Sequence, residues 1–502
     1  MSTRRRAQRG ARLSAVTALT LLILIPAAAG TAGAAPRASG PAGDADVCTV
    51  AAPDAVPGTP AWTERELTNL QCSSQGSKDY NASPAYQKAF ADLQAAWSGD
   101  EGRAVISGLV VGDPLRYPPV YWDDKRGQYE HVWIDIPNRG RISAEIFAPL
   151  ADPSKRLKAD RPPYPAVLIE HGGRGLKEPH WQDAEVLAEA GYVVLSIDVP
   201  GGAGGSISPT VAPAEPMALH AARHALDYLL SAPGKPTATG QVNPWHALVD
   251  ERKVATLGQS LGAITTSYLA QVDPRVDTAV AYDSCEYRLD ALGNTGPDPT
   301  SNTNTGGGCR TSPRPLLPEQ LRTPRLAIQA DYYNSNDVPR TQAPDPHHKD
   351  EYHRALVAKD IESMHVSLRA GQHNETAFAR PGNTNQTRYG LAAHHYYTIA
   401  WLDYQLKGDR PRQKVDACRR LTAEVFDKSA DVYEIGSGSF DPARAEKAGD
   451  VLAGNVPWTV GGLPVDDRLS FYFASGYHLG NGTVRNDDMR NDDGAANCAK
   501  LL

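Results

Sequence analysis

The sequence contains few cysteines, and none of them are closely spaced in a CxxC pair. Only six cysteines occur in 502 residues. The usual zinc-ribbon and thioredoxin-like motifs both need such a pair, so neither is supported here. The cysteines that are present are therefore better explained as disulfide partners than as metal ligands or redox centres.

The sequence also lacks an excess of positive charge. Its 51 lysines and arginines are outnumbered by 58 acidic residues, which gives a net charge of −7. A chain of this charge has no basic field for nucleic acid and no polybasic patch for anionic lipid. We therefore expect neither kind of partner. Internal repeats are absent as well.

Long apolar runs are missing except near the amino terminus. The stretch "LSAVTALTLLILIPAAAG" is too short and too rich in alanine for a permanent membrane span. It follows a basic head and precedes the small residues "TAGAAP", the pattern of a secretory signal. The basic residues of the head are Arg4, Arg5, Arg6, Arg9 and Arg12. We expect a signal peptide over residues 1–35, cut near Ala34 or Ala35, and a secreted, extracellular protein without a membrane span.

Export to an oxidising compartment favours disulfide formation. The pair Arg4-Arg5 leaves both general secretion and twin-arginine export open as the route. Proximity along the chain favours three pairs: Cys48–Cys72, Cys285–Cys309 and Cys418–Cys498.

The rest of the chain divides into three regions by composition. Residues 36–103 form an amino-terminal extension, which begins as a flexible Pro/Gly/Ala-rich lead-in and then turns helical in pattern. Residues 104–408 carry strands and helices, starting with a hairpin around "NRGR". Residues 409–502 contain short strand-like stretches and are expected to form a small β-rich annex.

The central region alternates near-continuous apolar strands with amphipathic helices. This pattern predicts an α/β fold with a mostly parallel sheet covered by helices on both faces. The predicted strands are "YPAVLIEHGG", "YVVLSIDVPGG", "KVATLG", "VDTAVAYDS", "TPRLAIQADY" and "MHVSLRAG". The predicted helices are "WQDAEVLAEAG", "PMALHAARHALDYLLSA", "LGAITTSYLAQV" and "HHYYTIAWLDYQLKGD".

Ser260 is the candidate nucleophile. It lies in "GQSLG", between the strand "KVATL" and the helix "AITTSYLAQV", which is the strand–elbow–helix setting of a reactive serine. Gly258 and Gly262 fit this turn because a Cβ at either position would collide with neighbouring backbone. Without that setting, the serine would only open a helix.

Two further features would complete a serine-hydrolase site. "HGGRG" follows an upstream strand, so the backbone N–H groups of Gly173 and Leu261 are the expected oxyanion hole. His171 is expected to support that loop. His373 follows the last strand and is the expected base, whereas His394 and His395 lie within the closing helix and are expected to pack or to face solvent.

Three aspartates compete for the acid of the triad. Asp331 ends the strand "RLAIQAD" and gives the chain order serine, acid, histidine that this architecture uses. Asp283 ends the preceding strand, and Asp337 lies in the loop after Asp331. We favour Asp331 because a strand end fixes a carboxylate well, and we keep the other two as alternatives.

A metal site is not expected. The histidines of "PDPHHKDEYH" form the one tempting cluster: His347, His348 and His353. Nothing in their spacing predicts a zinc geometry. We expect no metal and no organic cofactor.

Taken together, these motifs resemble the α/β-hydrolases of the dienelactone hydrolase-like group, near bacterial polyester hydrolases and cutinases. The resemblance covers about residues 164–408 and rests on "VDERKVATLGQSLGA", "TPRLAIQAD", "RAGQH" and the closing helix. It implies an α/β-hydrolase fold and a serine esterase that acts on a small-molecule ester. A peptidase or amidase with the same triad, or a non-catalytic binding module on this fold, remains open. No protein partner is predicted.

Overall fold

The computed structural model describes the chain in segments. They are residues 60–61, 64, 127–138, 140–149, 161–172, 177, 180–198, 210–211, 215–283, 321–330, 351–368, 373, 390–421, 476–480, 484–485 and 498–501.

The described strands, numbered in chain order, are β1 Gly127–Ile136, β2 Gly140–Pro149, β3 Tyr164–Glu170, β4 Val193–Ile197, β5 Thr210–Val211, β6 Glu215–Pro216, β7 Val249–Gln259, β8 Thr278–Tyr282, β9 Arg325–Ala330, β10 Ser363–Leu368, β11 Gly476–His478 and β12 Val484–Arg485. The described α-helices are α1 Trp181–Glu189, α2 Met217–Leu229, α3 Leu261–Val272, α4 Glu351–Val357, α5 Gly390–Leu406 and α6 Pro411–Leu421. Two single-turn 3-10 helices lie at His246–Leu248 and Ala499–Leu501.

The predicted hairpin around "NRGR" is present as β1 and β2. The two strands pair antiparallel from Gly127 opposite Pro149 to Ile136 opposite Gly140. Asn138 in the turn and Gly140 at the start of β2 have φ values of 58° and 95°, a conformation that asparagine and glycine adopt readily. Along β1, exposed and buried residues alternate, as expected for a strand with one face on the core.

One large sheet organises the described part of the fold. Its strand order is β1-β2-β4-β3-β7-β8-β9-β10-β11-β12. The six central strands from β4 to β10 run parallel, and antiparallel strands flank them on both sides. Parallel strands need helical crossovers, which cover both faces of the sheet and explain why β3, β4, β8 and β9 are buried throughout.

Successive side chains of the central strands enter two separate cores. In β3, Val167 and Ile169 pack on the face covered by α1, α5 and α6, whereas Ala166 and Leu168 pack on the face covered by α2 and α3. This period-2 division is the pleat of a strand that is buried on both sides. The prediction of a mostly parallel sheet between two helical layers is confirmed.

The region after residue 408 joins the main sheet where it is described. Helix α6 follows α5, and β11 pairs antiparallel with β10, so that Ser363 faces His478. Of the three strand-like stretches expected there, 431–440 and 456–465 lie outside the described residues, and the third contains β11. The described strands of residues 409–502 thus extend the main sheet instead of forming a sheet of their own.

The disulfide predicted between Cys418 and Cys498 is confirmed. It joins α6 to the carboxyl-terminal 3-10 segment, with a Cα–Cα distance of 5.7 Å. The other two predicted pairs, Cys48–Cys72 and Cys285–Cys309, lie outside the described residues. None of the helices that the structure describes is both long and apolar enough to cross a bilayer.

Candidate active site

Ser260 occupies a sharp turn between β7 and α3. Its backbone has φ 55° and ψ −115°, which is unusual for a residue other than glycine and places it outside both flanking elements. Ser260 N donates to the carbonyl of Tyr282 on the neighbouring strand at 3.0 Å, while Ser260 O accepts from Ile264 N at 3.1 Å in the first turn of α3. The elbow is therefore held on both sides by backbone hydrogen bonds.

The two glycines of the motif have the packing role predicted for them. A Cβ on Gly258 would collide with the backbone of Gly262, and a Cβ on Gly262 would collide with the carbonyl of Glu170 at the end of β3. Strand, turn and helix thus approach more closely than any side chain would allow. The prediction that both positions need glycine is confirmed.

His373 contacts Ser260 and an aspartate through its two ring nitrogens. Nε2 lies 2.9 Å from Ser260 Oγ, and Nδ1 lies 2.5 Å from Asp283 Oδ2. The histidine side chain keeps 17% of its surface exposed, whereas the Asp283 side chain keeps 3%. A buried carboxylate on Nδ1 selects the tautomer that leaves Nε2 free to accept a proton from the serine.

The carboxylate on His373 Nδ1 is that of Asp283, which the sequence offered as an alternative to the favoured acid Asp331. The reason lies in the strand order: β8 is the immediate neighbour of β7, so its end lies beside the elbow. Asp283 is further fixed by Ala330 N, which donates to Oδ1 at 3.0 Å, and by its own N–H, which donates to Ile328 O at 2.8 Å. Asp331 and Asp337 lie outside the described residues.

The expected oxyanion hole is described in part. Leu261 is the first residue of α3, a position at which a backbone N–H has no acceptor within the helix. Gly173 lies outside the described residues. Two residues before it, His171 is buried and its Nδ1 donates to Gly172 O at 2.7 Å, in the segment that leads to the expected loop.

The other histidines singled out in the sequence are packing residues where the structure describes them. His394 and His395 are both buried on α5, His394 edge-on to the ring of Tyr282 and His395 bonded to Asp183. His353 is buried on α4 against Ser363, and burial lowers its pKa to about 3. His347 and His348 lie outside the described residues. Among the residues that the structure does describe, no group of three or more potential metal ligands is found.

Three buried polar residues were not singled out from the sequence, two of them beside the elbow and Asp183 on α1. Gln259 donates from Nε2 to the carbonyl of His373 at 3.0 Å. Glu170 ends β3 with its side chain fully buried, and burial raises its pKa well above the ordinary value. Asp183 on α1 accepts hydrogen bonds from His180 and His395. Glu170 and Asp183 are charged residues within or beside apolar stretches, and this was the sequence signal that could have pointed to them. Nothing in the sequence shows which atoms they contact.

The fold and the turn at Ser260 together define the structural class of the protein. A mostly parallel sheet between two helical layers, with a serine on a strained turn from a strand into a helix, is the α/β-hydrolase fold. Residues 154–302 match the model of the dienelactone hydrolase family, which confirms the predicted resemblance to that family over this part of the chain. The match contains Ser260 and Asp283 and ends before His373. A search of curated proteins found no match. The family match points to a hydrolase.

Proposed function

We propose that the protein is a serine hydrolase that cleaves carboxylic esters through a covalent acyl-enzyme. The observation that carries the proposal is the continuous contact from Ser260 Oγ through both ring nitrogens of His373 to Asp283, with distances of 2.9 and 2.5 Å. Nucleophile, base and orienting carboxylate thus lie within hydrogen-bonding reach of one another, which is the arrangement that activates a serine.

In the first half of the reaction, His373 Nε2 takes the proton of Ser260 as Oγ attacks the ester carbonyl carbon. Asp283 stabilises the imidazolium that forms, and the N–H groups of Leu261 and Gly173 hold the oxyanion. The bond from carbon to the alcohol oxygen then breaks, and His373 returns the proton to that oxygen. In the second half, water attacks the acyl carbon with His373 again as base. The bond from that carbon to Ser260 Oγ then breaks, His373 returns the proton to Oγ, and the acid product leaves.

Active-site labelling tests this proposal. A fluorophosphonate probe should modify Ser260, and Ser260→Ala should abolish both labelling and ester hydrolysis. Ser267→Ala is a matched control because Ser267 is a buried serine one to two turns further along α3, outside the proposed triad. If folded wild-type protein takes no label while a known serine hydrolase does in the same assay, the chain is a non-catalytic module and the proposal is wrong.

The choice between esterase and amidase needs a separate assay. An amide has a poorer leaving group than an ester, so its cleavage depends more strongly on proton delivery from His373. We expect p-nitrophenyl acyl esters to be hydrolysed faster than aminoacyl anilides. Hydrolysis of the anilides alone would reverse the order and make the protein a peptidase or amidase with the same triad.

We also propose that the protein is secreted after removal of residues 1–35. The basic head, apolar core and small-residue segment of the sequence support this, and so does a disulfide between α6 and the carboxyl-terminal segment. Amino-terminal sequencing of the protein recovered from the culture medium should begin next to Ala34 or Ala35. An intact amino terminus on a cell-associated protein would contradict secretion.

A further inference from the structure

Gln259 is the residue immediately before the proposed nucleophile, and its side chain turns toward the proposed base. It is the last residue of β7 and is 5% exposed. Its amide Nε2 donates a hydrogen bond of 3.0 Å to the main-chain carbonyl of His373. The end of β7 therefore leads directly into Ser260, and the side chain of its last residue binds the backbone of His373.

The other end of the Gln259 amide lies against the segment that leads to the expected oxyanion loop. A Cβ added to Gly172 would collide with Gln259 Oε1 and would lie 3.1 Å from Ser260 Cβ. Glycine at position 172 thus makes room for this amide. The side chain of Gln259 is enclosed between the end of β3 and the backbone of His373.

The His373 ring alone does not fix where its residue lies. The hydrogen bond to Asp283 restrains the rotation of the imidazole, but the main chain of His373 could shift while small rotations of the histidine side chain keep that bond. A hydrogen bond from Gln259 to the main chain of His373 restrains the residue itself relative to β7, and so relative to Ser260. The Gln259 hydrogen bond thus restrains a shift of the His373 main chain, which the hydrogen bond to Asp283 does not prevent.

We propose that Gln259 is a positioning residue that sets the distance between His373 Nε2 and Ser260 Oγ. The inference rests on the proposed function, because it assigns Gln259 a role in the same Ser260–His373 step. It does not make Gln259 a catalytic group: the amide contacts the base's backbone and exchanges no proton with substrate. A neutral donor is required, since a glutamate would place a carboxylate oxygen against the carbonyl of His373.

Gln259→Met tests the proposal, because methionine keeps the length of the side chain and removes the donor. A misplacement of about 1 Å between reacting groups can cost about 100-fold in rate, so we expect kcat and kcat/KM for ester hydrolysis to fall together by about 10- to 100-fold. Gln271→Met is the matched control. Gln271 is also buried and accepts hydrogen bonds from Arg322 N and Thr323 N, but it lies at the far end of α3. This control should lose stability and keep its kcat.

A spectroscopic readout separates positioning from a merely structural role. The proton on His373 Nδ1, shared with Asp283, should give a strongly low-field NMR signal in acidic solution. In Gln259→Met, the signal should broaden or shift because the residue is less well held, whereas Gln271→Met should leave it unchanged. This measurement needs no substrate.

Gly172→Ala provides a second, independent perturbation. Its Cβ should displace the Gln259 amide and so break the same hydrogen bond, with a similar loss of kcat. In a Gln259→Ala background the colliding oxygen is gone and only the 3.1 Å contact with Ser260 Cβ remains, so Gly172→Ala should cost less there than in the wild type. Such non-additivity marks residues that act through one contact.

Two results would overturn the inference, and neither depends on the failure of the proposed function. One is a Gln259→Met enzyme with wild-type kcat and an unchanged low-field signal. The other is a Gly172→Ala effect that adds in full to that of Gln259→Ala. By contrast, a wild-type protein that takes no fluorophosphonate label would refute the proposed function, while the NMR comparison would still report on the position of His373.

Discussion

Asp283 shows at the level of one residue how the sheet builds the site. It follows the last residue of β8 and has a φ of 42°, so the backbone turns sharply at the strand end. Aspartate adopts such a conformation more readily than most side chains. One carboxylate oxygen accepts from Ala330 N on β9 and the other meets His373 Nδ1. A carboxylate held on both oxygens in this way can orient an imidazole without moving itself.

The first prediction is that Asp283→Asn strongly lowers kcat for ester hydrolysis. The amide keeps the shape of the carboxyl group but cannot stabilise the imidazolium and favours the wrong tautomer of His373. Losses of up to about four orders of magnitude in kcat are known for such a change. Steady-state ester hydrolysis measures the loss, and circular dichroism shows whether the variant is folded.

Asp277→Asn is the control for that experiment. Asp277 immediately precedes β8 at the opposite end of the strand, where its Oδ2 accepts from Val254 N at 2.8 Å. This variant should keep its kcat. If Asp283→Asn stays active while Asp331→Asn loses turnover, the acid is Asp331 after all and our assignment fails.

Glu170 presents a different situation, a carboxyl group without a partner. Both side-chain oxygens are buried and have no hydrogen-bond partner within the part of the chain that the structure describes. Burial disfavours the charged form and raises the pKa well above the ordinary value near 4.5. In the folded protein the group stays neutral at a pH where the unfolded chain has already ionised it.

The second prediction concerns the pH dependence that follows. Below about pH 4.5, Glu170 is protonated in both the folded and the unfolded wild type and adds no pH dependence to stability. Above that pH, only the unfolded chain ionises the group. The unfolding free energy of the wild type therefore falls by about 1.4 kcal/mol per pH unit until Glu170 titrates in the folded protein. Glu170→Gln should remove this fall. In urea unfolding between pH 4 and 8, the unfolding free energy of the variant should therefore increase relative to that of the wild type as pH rises.

Glu251→Gln is the matched control, since Glu251 is an exposed partner of Lys235 on the surface. Its difference from the wild type should not grow with pH over that range. A Glu170→Gln variant whose stability runs parallel to that of the wild type would show that Glu170 is ionised in the folded protein.

At the scale of elements, a buried polar network joins α1 to α5. Asp183 on α1 accepts from His180 Nδ1 at 3.1 Å and from His395 Nε2 on α5 at 3.0 Å. All three side chains are almost fully buried. Burial alone would raise the pKa of Asp183, but the two hydrogen bonds and the charge of the histidines outweigh it and lower the pKa to about 2. The network holds the start of α1 to the opposite helix.

The third prediction is that Asp183→Asn lowers the unfolding free energy by about 2 kcal/mol near neutral pH, the stabilisation that corresponds to a pKa lowered from 3.8 to about 2. Because the folded pKa is depressed, the stabilisation by Asp183 is complete above the ordinary pKa near 3.8 and is lost as pH falls toward about 2. The gap between wild type and variant should therefore close between about pH 4 and pH 2 in urea titrations.

Asp227→Asn serves as the control, because Asp227 is partly exposed and its pair with Arg275 lies near the surface. An exposed ion pair contributes at most about 1 kcal/mol. An Asp183→Asn variant that loses no more than this control would show that the network does not stabilise the helix pair.

The elements that the sequence predicted well are those with a strong local pattern. Helix α3 was expected as "LGAITTSYLAQV" and is found over Leu261–Val272, and the parallel strands were recognisable from apolar runs bounded by turn residues. Helix α5 begins at Gly390, earlier than its apolar pattern indicated. Local periodicity identifies an element but leaves its ends open.

The candidate site was predictable to the extent that it is local. Ser260 was identified by its motif and setting, and His373 by its place after the last parallel strand. The acid was not, because the choice between Asp283 and Asp331 depends on which strand end reaches His373, and that distance is set by register and loop path. The contact of Gln259 with His373 joins residues 114 positions apart and has no sequence signal.

At the scale of the whole molecule, the sheet extends well beyond the family match. That match ends at residue 302, but β9 to β12 follow it, and so does His373. The carboxyl-terminal segment packs into the same core as α5 and α6, with Cys418, Tyr477 and Cys498 all buried there. The region expected to be an annex therefore contributes to the stability of the domain that carries the site.

The last prediction concerns the disulfide that closes this region. Cys418 and Cys498 are 80 residues apart, and a cross-link over a loop of that length restricts the unfolded chain by about 4–5 kcal/mol in the chain-entropy model. The double variant Cys418→Ala/Cys498→Ala should lose about that much unfolding free energy and keep its kcat, because the bond joins α6 to the carboxyl-terminal segment, neither of which contributes a residue to the proposed triad. Substitution is preferable to chemical reduction, which would also act on the other cysteines. A double variant as stable as the wild type would show that α6 and the carboxyl-terminal segment are held together by packing alone.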